Sequence, residues 1–170
     1  MFLSFGKFFL CSLIFSCTIL RTILLIHLYP KKLSRIVPGH PIAGGENNPG
    51  VNEFVQICEQ GVYSLLQPES MVMNGLTNLR KIGVLAELYG KEIVPHHGGG
   101  NIGVIAHMHL VASWRHAPFM ELLHDPPVGH YRNKFSIMSN APEVDSDGFM
   151  SLPQGPGLGI EIDPDLIMKN

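Results

Sequence analysis

The sequence predicts an α/β fold in which parallel strands alternate with covering helices, as in half of a TIM-type barrel. Four short apolar runs each end on an ionisable side chain, and these side chains are Glu46, Glu69, His96 and Glu121. They lie roughly 25 residues apart with helical apolar spacing between them, which is typical of successive strand–helix units. A complete eight-stranded barrel needs ~250 residues. The chain of 170 residues, with four predicted strands, therefore accounts for about half of one.

The first two predicted units each end at a glycine. The first strand runs into a Gly-Asn-Pro loop at Glu46, and the apolar face of the helix that follows predicts that this helix ends at Gly61. The second strand is predicted over residues 62–67, and a longer helix with apolar residues at helical spacing is predicted over residues 76–88, closed by Gly90.

The last two predicted units have the same order. The third strand is predicted over residues 93–95, and a glycine-rich loop at residues 98–101, interpreted as a hinge or a close-packing segment, separates it from a buried helix over residues 102–114. The fourth strand is predicted over residues 118–123. The chain beyond Asp125 is rich in proline and glycine and is expected to be irregular. Since the carboxyl ends of parallel strands meet on one face, the four ionisable side chains are expected around one pocket.

The first 37 residues differ in composition from the predicted domain, which covers residues 38–170. Residues 8–28 are almost wholly apolar apart from Arg21, and Lys31, Lys32 and Arg35 follow them. Because ~20 apolar residues span a bilayer, this run is interpreted either as an N-terminal apolar helix that makes membrane contact or as an extension that is not native to the domain.

Charge and cysteine content exclude other classes of protein. The net charge is −2 and no basic run is longer than Lys31-Lys32, so nucleic acid is not an expected partner. The cysteines are Cys11, Cys17 and Cys58, an odd number without zinc-site spacing, which indicates neither a disulfide framework nor a structural metal.

A set of motifs over residues 40–170 resembles the C-terminal part of the enolase superfamily, in the mandelate racemase and muconate lactonising enzyme group. The motifs, in chain order, are PIAGGEN at 41–47, LQPE at 66–69, NGLT at 74–77, VPHH at 94–97, HL at 109–110, MEL at 120–122 and LPQGPGLG at 152–159. The resemblance implies a modified barrel under a capping domain. It also implies Mg²⁺, a small carboxylate substrate such as a sugar acid, abstraction of the proton beside that carboxylate, and a cytoplasmic location.

The same resemblance implies a role for each ionisable residue. Glu46 matches the third metal-binding carboxylate, His96 the catalytic histidine, Glu69 its acidic partner and Glu121 the acid near the eighth strand. The partner of the histidine is an aspartate in the better-known members, so Glu69 departs from the pattern. The first two metal ligands and the lysine base would lie upstream of Pro41, and nothing in residues 1–40 replaces them.

Each role has a structural alternative. Glu46 could be a solvated turn residue, His97 competes with His96 as the base, and Glu69 could cap a helix or lie at the surface. Glu121 could instead pair with Arg115 or Arg132. His107 and His109 suggest zinc, but residues two apart on a helix point to different sides, so core or surface positions are favoured for both.

The expected function is that of a truncated mandelate racemase-like protein, inactive alone, whose intact relatives perform Mg²⁺-assisted α-proton abstraction from sugar acids as dehydratases or racemases. Open strand edges would lead the half-barrel to form a homo-oligomer or to associate with a missing N-terminal half. The alternative is a catalytically inactive, membrane-anchored half-barrel that acts as a binding or assembly module.

Overall fold

The computed structural model describes residues 39–61, 63–72, 75–96 and 102–168. The predicted apolar helix at residues 8–28, the competing base His97 and the glycine-rich loop at residues 98–101 lie outside these ranges. Within them, no helix has the length and apolar character needed to cross a bilayer.

Three parallel strands form the larger sheet, and they confirm the predicted α/β fold with parallel strands. Strand β1 (Ala43–Gly44) pairs with β2 (Leu65–Leu66), which pairs with β3 (Glu92–Ile93). In this register Gly44 lies opposite Leu66, and Leu66 lies opposite Ile93. Because neighbouring strands run in the same direction and in register, the residues that follow them emerge at one edge.

The predicted fourth strand at residues 118–123 is wrong, because this segment is not a strand in the structure. The chain approaches β3 two residues earlier, where the Ile93 N–H donates to the His116 carbonyl at 3.0 Å. Pro118 has no N–H group and cannot continue the ladder from that point. The segment nevertheless runs alongside β3 and delivers Glu121 to the same end of the sheet.

The three predicted helices are present at almost the predicted bounds. Helix α1 (Val51–Gln60) ends at Gly61, whose left-handed φ of 68° suits glycine. Helix α2 (Leu76–Leu88) coincides with its predicted range, and α3 (Ile102–Ser113) ends one residue earlier than predicted.

Helix α3 lies between two apolar cores, which explains why its residues are buried almost all round. Leu110 joins the core beneath the sheet, which includes Phe54, Leu66, Leu79, Ile82 and Ile93. Other faces of α3 pack into a second core with side chains from the C-terminal part of the chain, including Met120, Tyr131, Phe135, Met138 and Met150. The helix is therefore fixed on both sides, as expected for a helix without a polar face.

The C-terminal part contains more regular structure than the predicted irregular tail. A short antiparallel pair, β4 (His124–Asp125) and β5 (Gly129–His130), leads into a 3₁₀ helix at Tyr131–Phe135. A final short helix, α4, covers Pro164–Ile167.

Gly83 on α2 is a close-packing position, and its replacement will destabilise the fold. A Cβ atom at Gly83 would lie 2.5 Å from the Trp114 indole. We expect Gly83→Ala to lower the free energy of unfolding by about 1–3 kcal/mol in urea denaturation, because the indole or the helix must move. The matched control is Val84→Ala, since Val84 is 57% exposed on the same helix and should change stability by less than about 1 kcal/mol. Equal stabilities of the Gly83→Ala variant and the unchanged protein would contradict this packing argument.

Candidate active site

The four ionisable residues predicted from the sequence meet at the carboxyl edge of the sheet. Glu46, Glu69 and His96 follow β1, β2 and β3 respectively, and Glu121 lies within the segment at residues 118–123. Backbone hydrogen bonds extend the pairing beyond the strands: the Gln67 N–H donates to Gly44 at 2.9 Å and the His96 N–H donates to Pro68 at 3.0 Å. These bonds hold the site residues in register after the strands have ended.

The His96 imidazole lies at the centre, with carboxylates around it. Its Nδ1 is 3.6 Å from Glu69 Oε2. Its Nε2 is 3.4 Å from Glu46 Oε2 and 3.8 Å from Glu121 Oε1. The 3.6 Å and 3.8 Å separations are longer than direct hydrogen bonds, so the attraction in those two pairs is mainly electrostatic.

Glu69 is the most buried of the three carboxylates, and its neighbours in sequence hold it. Its side chain is 5% exposed. Oε1 accepts from the Met71 N–H at 3.2 Å and from the Ser70 hydroxyl at 3.3 Å. Oε2 is left facing His96, and no hydrogen-bond partner for this oxygen is found among the described residues. The alternative in which Glu69 lies at the surface does not fit this burial.

Glu46 lies at the rim of the site, where glycine sets its position. The preceding residue, Gly45, has φ 113°, and a Cβ atom there would lie 2.9 Å from the Phe54 ring. Only glycine suits this combination of left-handed backbone and close approach. The Glu46 side chain is 33% exposed, and its Oε1 accepts from the Asn47 side-chain amide at 3.2 Å.

A side-chain amide holds Glu121 in place. The Gln67 side-chain amide donates to Glu121 Oε2. The alternative pairing with Arg132 is not found, because Arg132 instead makes an exposed ion pair with Glu143 at 3.3 Å. The Glu121 side chain is 17% exposed, so its exposure is intermediate between that of buried Glu69 and that of the rim residue Glu46.

The electrostatics of the cluster make the His96 imidazole more basic. Burial by itself lowers the pKa of His96, but the facing carboxylates of Glu69, Glu121 and Glu46 outweigh it and raise that pKa above its ordinary 6.5. Burial raises the pKa of Glu69, yet His96 and the Met71 N–H overcome this effect and lower the pKa to about 2. Burial raises the pKa of Glu121, which His96 opposes only in part. The cluster thus combines a strongly ionised carboxylate, a basic imidazole and a carboxyl group of raised pKa.

The described residues do not form a magnesium site by themselves. Members of the enolase superfamily generally use Mg²⁺, which prefers about six oxygen ligands in octahedral array. Within the described ranges, no group of three or more histidine, cysteine or acidic side chains is arranged to hold a metal ion. Glu46 is the candidate ligand, and its two oxygens already face Asn47 and His96.

Sequence reasoning did not predict three residues that support the cluster. Gln67 binds Glu121, Ser70 binds Glu69, and His107 lies 3.7 Å from Glu69 Oε1. The sequence favoured core or surface positions for His107 and His109, and the structure buries His107 while His109 lies 3.0 Å from the Leu158 carbonyl. The two histidines have separate partners, as expected from their spacing.

Comparisons with known proteins agree with the fold. The model of the enolase C-terminal domain-like family matches residues 28–166. D-galactarolactone cycloisomerase of Agrobacterium fabrum is 32% identical over 132 residues, which make up 76% of this chain and 35% of that enzyme. D-galactonate dehydratase of Ralstonia pickettii is 30% identical over 135 residues, which make up 76% of this chain and 34% of that enzyme.

Solved structures are similar to this fold as well. A member of the enolase superfamily from Polaromonas superposes with a TM-score of 0.74 at 27% identity, over 84% of this chain and 36% of the other. A mandelate racemase/muconate lactonizing enzyme-like protein from Roseovarius gives a TM-score of 0.71 at 27% identity, over 83% of this chain and 34% of the other. The chain spans about a third of the length of the curated relatives it matches. It belongs to the enolase C-terminal domain-like family, within the mandelate racemase and muconate lactonizing enzyme group.

Proposed function

We propose that this chain supplies the acid–base part of a site that removes water from a sugar acid. The observation that carries the proposal is the placement of His96 between one buried carboxylate and two more exposed ones. Relatives named as dehydratases of D-galactonate and arabinonate support the substrate class and the type of reaction. The unit that carries the site is residues 38–170, completed by further strands from elsewhere in the protein or from a second copy.

The two ring nitrogens of His96 have different surroundings, and this difference assigns their roles. Nδ1 faces Glu69, which is buried and strongly ionised. Nε2 faces Glu46 and Glu121, the more exposed side of the cluster. A substrate that enters from that side meets Nε2, while Glu69 orients the ring and stabilises its charged form from behind.

In the proposed reaction Nε2 transfers one proton from carbon to oxygen. Neutral His96 takes the proton from the carbon beside the substrate carboxylate, and the electrons of the C–H bond form a carbon–carbon double bond. The C–O bond on the adjacent carbon breaks, and the same imidazole returns the proton to the departing hydroxyl group, which leaves as water. The resulting enol becomes a 2-keto acid, so atoms and charge balance without a second base. The carboxylates around the ring assist this sequence because they increase the basicity of His96.

Glu46 is proposed as one ligand of a magnesium ion whose remaining ligands lie outside the described residues. Such an ion would stabilise the negative charge that develops on the substrate carboxylate as the proton leaves. Glu121, close to Nε2, is proposed to orient the substrate hydroxyl group or to stabilise the charged ring during the transfer.

A domain graft tests the proposal in a complete barrel. Residues 38–170 would replace the matching segment of the Ralstonia pickettii D-galactonate dehydratase. The graft would be supplied with Mg²⁺ and, separately, with D-galactonate, L-rhamnonate, arabinonate and the neutral sugar galactose. We expect a 2-keto acid, detected by mass spectrometry, from at least one acid and no dehydration of galactose. A folded graft, verified by circular dichroism, that dehydrates none of the acids would contradict the proposed function.

A further inference from the structure

His107 is a buried histidine that the proposed reaction does not use. It lies on α3 with 1% of its surface exposed, and its Nε2 approaches the turn that carries Glu69. Helix α3 comes close to this turn, since a Cβ atom at Gly103 would be 3.8 Å from the Ser70 hydroxyl. The turn, the helix and the carboxylate are thus in one packed region.

The hydrogen bond from Ser70 indicates which nitrogen of the His107 ring carries the proton. The Ser70 backbone N–H donates to His107 Nε2 at 3.3 Å, so Nε2 carries no proton and the neutral ring has its proton on Nδ1. Burial lowers the pKa of His107, and this favours the neutral form. In this tautomer Nε2 has no proton to donate to Glu69, although the two side chains are 3.7 Å apart. The hydrogen-bonded connection from His107 to Glu69 therefore runs through Ser70.

The Ser70 segment is what orients Glu69. The Ser70 hydroxyl and the Met71 N–H both bind Oε1, which leaves Oε2 turned towards His96. The Ser70 residue is itself buried, so its backbone N–H needs an acceptor inside the protein. His107 supplies that acceptor.

We propose that His107 is a positioning residue, which holds the Glu69 carboxylate against His96 by accepting the Ser70 backbone N–H. The inference rests on the proposed function, in which Glu69 orients His96. His107 touches neither substrate nor reacting atoms, and its contribution is the geometry of the turn.

The unchanged full chain gives the first test, by ¹⁵N NMR of the histidine rings. The expected spectrum shows His107 Nε2 without a proton and Nδ1 with one, at neutral pH. A proton on Nε2 would overturn the proposal, because that nitrogen could then not accept from Ser70.

Two substitutions give the second test. His107→Leu removes the acceptor at similar volume, whereas His107→Gln keeps one. We expect the Ser70 amide to exchange with solvent about tenfold faster in His107→Leu, and the Glu69 carboxyl, followed by ¹³C NMR, to titrate at a higher pH than in the unchanged chain. His107→Gln should restore both properties. The matched control is His109→Gln, which should move neither, since His109 faces the Leu158 carbonyl.

Two results would overturn the positioning role: a folded His107→Leu chain with unchanged Ser70 exchange and Glu69 titration, or His107→Gln behaving as His107→Leu does. If His107→Leu does not fold, two measurements still test the positioning role. They are the ¹⁵N NMR of the His107 ring and the exchange of the Ser70 amide in His107→Gln, which must stay protected. None of these measurements involves turnover. A confirmed positioning role together with an inactive domain graft would therefore reject the proposed function alone.

Discussion

A Glu69→Gln variant will be less stable than the unchanged protein at pH 7 by about 3 kcal/mol. The unchanged protein loses this contribution on acidification. The pKa of Glu69 falls from 4.5 to about 2 in the folded protein, so ionisation of this carboxyl favours folding. The contribution is fully present above pH 4.5 and is lost as the pH falls through about 2. Glutamine cannot ionise, so the stability of the variant should depend less on pH in this window.

The measurement is urea denaturation of the full chain at several pH values between about 5 and 2.5. Glu121 does not obscure the effect of Glu69. The pKa of Glu121 is raised in the folded protein, so its ionisation lowers stability as the pH rises above 4.5 and has little effect below that pH. Glu59→Gln, an exposed change on α1, is the control and should follow the unchanged protein. Parallel curves for the Glu69→Gln variant and the unchanged protein would show that the carboxylate contributes no ionic stabilisation.

A His96→Asn substitution in the domain graft will lower kcat for dehydration by ~10²–10⁴-fold, the usual contribution of a positioned acid–base group. Asparagine keeps a polar group beside Glu69 but cannot take up and return a proton at neutral pH. Because the substrate contacts Nε2 through the reacting proton, we expect KM to change much less than kcat.

The control for this substitution is His40→Asn, which changes an exposed histidine that precedes β1. It should leave kcat unchanged. A His96→Asn graft with full kcat would exclude His96 as the group that moves the proton, even if the graft still acts on sugar acids.

The helices and the meeting of the four ionisable residues could be predicted from the sequence because local signals specify them. Gly61 ends α1 and the apolar spacing of residues 76–88 defines α2, and both signals lie within a few residues of the element. The convergence of Glu46, Glu69 and His96 follows from parallel strands in register, which places every strand end at one edge.

The features that were missed depend on contacts between distant parts of the chain. The fourth segment meets β3 through the His116 carbonyl and Pro118 then interrupts the pairing, which an apolar run does not reveal. His107 and Ser70 are 37 residues apart in the sequence. The helical spacing of apolar residues predicts that His107 is buried but does not predict which residue it contacts. Arg132 pairs with Glu143 at the surface, leaving Glu121 to a neutral amide that no charge pattern indicates.

The measurement that tests the central claim most directly is α-proton exchange in D₂O, followed by ¹H NMR on D-galactonate with the domain graft and Mg²⁺. The α-proton signal is lost by exchange or by dehydration, and both require removal of the proton from carbon, which the account assigns to His96. We expect the α-proton signal to disappear with the unchanged graft and with His40→Asn, and to persist with His96→Asn. Equal exchange in the unchanged and His96→Asn grafts would contradict the account, because another group would then remove the proton.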